Sequence, residues 1–172
     1  MHFGSELFNK ETLFKILEEN SLADVHSVES LEIKHLVNNS KLTLSEIGRL
    51  TINTQDPQAY IIKTIPTSPA RALRIRSTGL FAKEAKLYAG LFPKINNLLQ
   101  QKPPHFSIPR YPEPLFVNDT QDKEILIIED LCRHGFKNGF VTTTGFSLDC
   151  CRAVLKWLAT FHAATYIFFQ SS

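Results

Sequence analysis

The sequence lacks any apolar run of about 18 residues, so it offers no membrane-spanning helix. Its opening residues, Met1 to Glu6, lack a basic segment followed by a long apolar stretch, so no secretory leader is expected. Neither sign of charge dominates. Nineteen basic against 17 acidic residues leave a net charge of +2, which gives no reason to expect nucleic acid or an acidic membrane surface as a partner. Cysteine is scarce: Cys132, Cys150 and Cys151 are odd in number, the last two are adjacent and hard to bridge, and no pair has metal-ligand spacing. Reduced thiols in a cytoplasmic protein, and no metal site, are the expectation. Internal repeats and low-complexity tracts are absent as well. What is present is enough for one ordinary domain: 172 residues, 43% of them hydrophobic, can close a packed core.

Along the chain, Asn9 to Asn20 reads as a helix capped by Asn9, with Leu13, Ile16 and Leu17 on one face. Leu31 to Val37 suits a half-buried strand, Asn38-Asn39-Ser40 a turn, and Leu42 to Asn53 a second strand with a break near Gly48. Thr54 to Pro57 is another turn, and Ala59 to Pro66 a third strand, so these elements form an antiparallel meander. Residues 66–78, with two prolines and three arginines, read as a mobile loop. Then the period changes to that of a helix at Phe81, Glu84, Ala85, Tyr88 and Leu91. Pro93 ends or restarts that helix, and Ile95, Leu98 and Leu99 continue the pattern. Pro103 to Pro114 is irregular. Leu115 to Val117 and Glu124 to Glu129 are strands joined by a turn at 118–122, and 131–146 is a glycine-containing loop. Ser147 caps a last helix to about Phe169, apolar almost all round, which calls for burial on several sides.

The chemistry starts from Lys63, inside the third strand. It either points to solvent or needs an anion, because an unpaired ammonium is too costly to bury. A carboxylate or a ligand phosphate would serve. Glu84 is a candidate carboxylate, on a helix that Phe81, Leu87 and Tyr88 would fix against the sheet, unless it is an ordinary surface glutamate. Glu129-Asp130-Leu131, where the last strand leaves the sheet, exposes backbone groups that need partners. An adenine ring would supply them, and so would water around an acidic turn.

Four segments together resemble the ecdysteroid-kinase-like proteins, relatives of choline and aminoglycoside kinases with a protein-kinase-like fold. They are Tyr60 to Pro66, Leu80 to Tyr88 with Phe92-Pro93, Ile127 to Leu131 followed by Gly135-Phe136, and Trp157 to Ala164. The resemblance covers about residues 9–169. It implies an α+β fold: a protein-kinase-like N-terminal lobe over 1–130, with a roughly five-stranded antiparallel sheet, then a connector and the first helix of a C-terminal lobe over 131–172. It implies that Lys63 contacts the α- and β-phosphates of ATP, that Glu84 orients Lys63, and that the Glu129 carbonyl and Leu131 N–H hold adenine. His162 would be a core histidine of a structural helix.

Two departures stand beside the resemblance. The family's phosphate-covering turn carries glycine, where backbone amides must approach phosphate closely. Residues 38–45 have none, so ATP affinity is expected to be weak or lost. The family's His-Gly-Asp segment, its metal-binding asparagine and the later magnesium aspartate are also missing, and His134-Gly135-Phe136 has phenylalanine where the base would stand. The expectation is therefore a truncated kinase-like chain, inactive alone, with no catalytic residue and magnesium only if the missing half is present. The alternatives are a homodimerisation module using Trp157, Phe161 and Phe168, or a piece of a longer active kinase.

Overall fold

A computed structural model of the chain describes residues 10–21, 27–36, 45–101, 110–136 and 145–170. The expected Asn9 cap, the turn at 38–40, most of the glycine-free loop and the proline-rich segment up to 109 lie outside them. The fold is α+β, built on one five-stranded sheet. Strands β1 (Ser30–His35), β2 (Glu46–Asn53) and β3 (Gln58–Thr64) form the expected meander. Strand β5 (Ile125–Glu129) then pairs with β3, and β4 (Pro114–Asn118) closes the edge. The order is β1-β2-β3-β5-β4, every neighbour antiparallel.

The turns follow their side chains. Between β2 and β3, the Thr54 hydroxyl accepts the Asp56 N–H and donates to the Asp56 carbonyl. Between β4 and β5, Asn118 Oδ1 accepts the Thr120 N–H at 2.9 Å. Both are local side-chain bonds that stand in for a backbone turn.

Alternation along the strands divides the core in two. Leu50, Ile52, Tyr60, Ile62, Ile125 and Ile127 pack on one face against Leu13, Ile16 and Leu17 of α1 (Lys10–Glu19). Leu126 and Ile128, with Ile61 beside them, pack on the other face against Ile75 and Phe81. Gly48 causes no break: β2 runs through it, paired to His35 and Ile62.

Residues 66–78 are mostly not a loop. Pro69 opens a helix, α2 (Pro69–Thr78), where its missing N–H costs nothing because first-turn amides have no helical partner. Arg76 is tied down as well. Arg76 forms a fork onto Glu124, with Nε to Oε1 at 2.5 Å and Nη2 to Oε2 at 2.9 Å, and reaches Asp122 at 3.0 Å. Gly79, at φ +63°, ends α2 and starts α3 (Leu80–Lys86). A wide turn at Leu87–Leu91, closed by Phe92 N–H onto the Leu87 carbonyl, leads into α4 (Phe92–Gln100). Pro93 thus restarts the helix, in its first turn. Phe81 and Tyr88 pack toward the sheet as expected, while Leu87 is exposed.

The last helix, α5 (Leu148–Gln170), starts at Ser147, whose hydroxyl accepts the Cys150 N–H at 3.2 Å. It is not buried on several sides. Ala164 packs onto Ile95 and Leu99 of α4, with Phe161 and Phe168 alongside, and Trp157 stacks on Phe161. Leu148, Val154, Leu155, Leu158, Tyr166 and Phe169 stay exposed. His162 is exposed too, so it is no core histidine. Apolar residues all round a helix of this chain therefore mark one packed side and one open side. No helix among the described residues is long and apolar enough to cross a membrane.

Candidate nucleotide site on the Lys63 face

The sheet register assigns Lys63 to a face. It lies opposite Ile47 on β2 and Leu126 on β5, and one step along Ile61 lies between Arg49 and Ile128. Residues opposed in an antiparallel pair share a face, so Ile47, Lys63, Leu126, Arg49, Ile61 and Ile128 form one patch. This is the face covered by α2 and α3. The Lys63 side chain is 19% exposed, and its Nζ donates to Glu84 Oε1 from α3; Glu84 is 31% exposed. The ammonium therefore sits at the edge of the core with a carboxylate in contact, reachable by a further anion.

The end of β5 turns the chain from the sheet. Leu131 to His134 make a single 3-10 turn, stopped by Gly135 at φ +80°. Adjacent residues of a strand point to opposite faces, and Glu129 and Asp130 do. Asp130, 4% exposed by its side chain, accepts Arg49 Nε at 2.7 Å through Oδ2 and the Cys132 N–H at 3.0 Å through Oδ1. It belongs with Lys63. Glu129 lies opposite Tyr60, on the α1 side. Its backbone N–H donates to the Glu113 carbonyl at 2.9 Å. Its Oε1 accepts Arg110 Nη2 at 2.5 Å and meets His134 Nε2 at 2.6 Å. Burial works against the Glu129 carboxylate, yet the bonds from Arg110 and His134 outweigh it and hold its pKa below the ordinary value. Gln58, Tyr60, Glu113, Leu115, Glu129 and His134 line a cavity of about 420 Å³ on that side.

The backbone groups at Leu131 divide similarly. Its carbonyl accepts the Phe136 N–H at 3.3 Å. Its amide opens the turn, so no turn carbonyl can reach it, and it has no partner among the described residues. An amide with no partner among the described residues and a carboxylate-held ammonium are thus carried by the same sheet. The donor set for magnesium is poorer: no group of three His, Cys, Asp or Glu residues is placed for a metal among the described residues. The three thiols are free and exposed.

A five-stranded antiparallel sheet with helices, a strand lysine held by a helix glutamate and a turn leaving β5 define the N-terminal lobe of a protein-kinase-like fold. The model of the ecdysteroid kinase-like family matches residues 43–172, and this chain belongs to that family. Comparison with curated proteins and with solved structures gave no match.

Of the four residues expected at the site, the structure brings Lys63 and Glu84 into contact and places Leu131 at the turn beyond β5. The Glu129 side chain goes to the opposite face, and a role at this face is left to its backbone. Sequence reasoning missed Arg49, Asp130 as its partner, Arg110 and His134. Arg49 carried little signal: it alternates with buried Leu50 and Ile52 and shares its side of β2 with Thr51 and Asn53, as a solvent-facing residue would. Arg110 and His134 carried none, because Glu129 becomes a neighbour of Arg110 only through the β4–β5 pairing and of His134 only through the turn after β5.

Proposed function

We propose that this chain is the nucleotide lobe of a small-molecule kinase-like protein, a transferase relative of the ecdysteroid/choline kinase-like group, with ATP as ligand. The observation that carries the reading is the Lys63 ammonium, held by Glu84 on the face of the sheet where the Leu131 turn leaves it. In this reading Lys63 meets the α- and β-phosphates, and Glu84 keeps it aimed. The Leu131 N–H and the Glu129 carbonyl take the edge of the adenine. Phosphoryl chemistry supports such a design, since charge spread over phosphate oxygens is best met by positive groups fixed in advance.

Residues 1–172 contain no His-Gly-Asp segment and no counterpart of the family's metal-binding asparagine or aspartate. By themselves they bind nucleotide weakly, residues 38–45 being without glycine, and do not transfer a phosphoryl group. A His-Gly-Asp segment further along a full transcript would restore transfer. ATP as ligand and exposed free thiols fit a cytoplasmic location. The test is thermal unfolding with and without ATP and magnesium. Wild type should gain stability with ATP, and Lys63→Ala and Glu84→Gln should lose most of that gain while melting normally without ligand. Equal ATP responses in all three proteins would overturn the reading, and phosphoryl turnover by the pure 172-residue chain would overturn the claim of no transfer.

The open side of α5 favours a second reading, a contact face for another copy of the chain. Exposed Leu148, Val154, Leu155, Leu158, Tyr166 and Phe169 carry it, because contiguous apolar surface of this kind marks interaction sites. Sedimentation should show a dimer that Leu155→Asp with Tyr166→Asp dissolves. A wild type that stays monomeric at high concentration excludes this version.

A further inference from the structure

Asp130 is buried and both its oxygens are engaged. Oδ1 accepts the amide of Cys132, the next residue but one, which caps the 3-10 turn. The amide in between, that of Leu131, is left without a partner among the described residues. Oδ2 accepts Nε of Arg49, which comes from β2. Strand β3 lies between β2 and β5, so the arginine crosses one whole strand, over the Lys63 face, to reach the turn. Its side chain keeps 36% of its surface exposed on that face. A charge-assisted bond to a buried carboxylate is among the stronger tethers a protein makes. Here it ties the backbone that leaves the sheet to the strand next to the one carrying Lys63. The distance between the Leu131 amide and the Lys63 ammonium is thereby set by side chains as well as by the β3–β5 ladder.

We infer that Arg49 and Asp130 are positioning residues for base recognition: their pair holds the Leu131 amide in register with Lys63, so that one ligand carrying phosphates and a heteroaromatic base spans both. The inference rests on the nucleotide reading above and adds a division of labour to it. Lys63 recognises the phosphates, and the pair makes the site respond to what is attached to them.

The experiment compares ATP with inorganic tripolyphosphate, which keeps the phosphates and lacks the base, by displacement of a fluorescent ATP analogue. Wild type should prefer ATP. Arg49→Met and Asp130→Asn should each weaken ATP by about tenfold, the value of one well-made hydrogen bond, and leave tripolyphosphate unchanged. Lys63→Ala should weaken both. A wild type that prefers ATP, with variants that keep its ratio of the two affinities, overturns this inference and leaves the nucleotide reading standing. A wild type that binds neither ligand overturns that reading, and this inference with it. If Asp130→Asn fails to fold, Arg49→Met decides, since its removed guanidinium is partly exposed. In that variant the Leu131 amide resonance should move without ligand, and an unmoved resonance also overturns the inference.

Discussion

Arg76 and Glu124 are 48 positions apart in sequence and form the two-pronged contact that fixes α2 to the β4–β5 hairpin. Glu124 is 6% exposed, so the carboxylate is affordable there only while its partner stays. Burial disfavours its charged form, but hydrogen bonds from Arg76 outweigh burial and hold its pKa below the ordinary carboxylate value. A carboxylate whose folded pKa is depressed stabilises the fold above its unfolded pKa. That contribution disappears as pH falls through the folded pKa. Stability should therefore decline on acidification below the usual carboxylate range, and the decline should be shallower in Glu124→Gln, measured by urea unfolding across pH. At neutral pH, Arg76→Met should cost about 2 kcal/mol by leaving a buried carboxylate unpaired, seen as a lower urea midpoint at unchanged slope.

At the scale of elements, Gly79 separates two helices that would otherwise be one. Its φ of +63° is a left-handed conformation, and an added Cβ would meet only Lys83 Cε at 4.0 Å. Space is no obstacle, so backbone preference alone sets the cost. Gly79→Ala should lose about 1 kcal/mol, and Gly79→Asn distinctly less, because asparagine tolerates this conformation. Thermal or urea unfolding of the two variants checks the order. The strands and the need of Lys63 for an anion were legible in advance because period-two alternation with one misplaced charge is a local signal; that Glu84 is the partner came from the family resemblance. Helix α2 was not legible. Pro66, Pro69 and three arginines describe a loop until Glu124 arrives from another part of the chain. Arg49 was not legible, because Thr51 and Asn53 share its side of β2 and its partner Asp130 is 81 positions away. For α5 the apolar composition is plain in the sequence and the exposure of one side is not, since periodicity names an apolar face and says nothing of what covers it.

The molecule as a whole has a well-filled sheet and a thinly attached end. Leu50, Ile52, Ile62 and Ile127 are fully buried, whereas Ala164 is the one buried residue of α5 among those described. Opening should follow that gradient. Hydrogen exchange should find the amides of β2, β3 and β5 best protected, and those of Leu148 to Leu158 exchanging long before global unfolding. Ile62→Ala should lower overall stability by about 2–5 kcal/mol, as deletions from packed cores do. Ala164→Asp should instead release α5 and leave the sheet's protection largely intact. Equal loss of protection everywhere in Ala164→Asp would show that helix and sheet unfold as one unit.

Glu129 and Asp130 are neighbours whose carboxylates serve opposite sides of the sheet, one with Arg110 and His134, the other with Arg49. Which carboxylate goes where is decided by counting. A single residue inserted into or deleted from β5 ahead of them exchanges their sides and breaks every one of these pairings, although composition and charge stay the same. Length changes in this part of a related chain should therefore collect in the turn at 118–122, and the number of residues from Ile125 to Asp130 should stay constant.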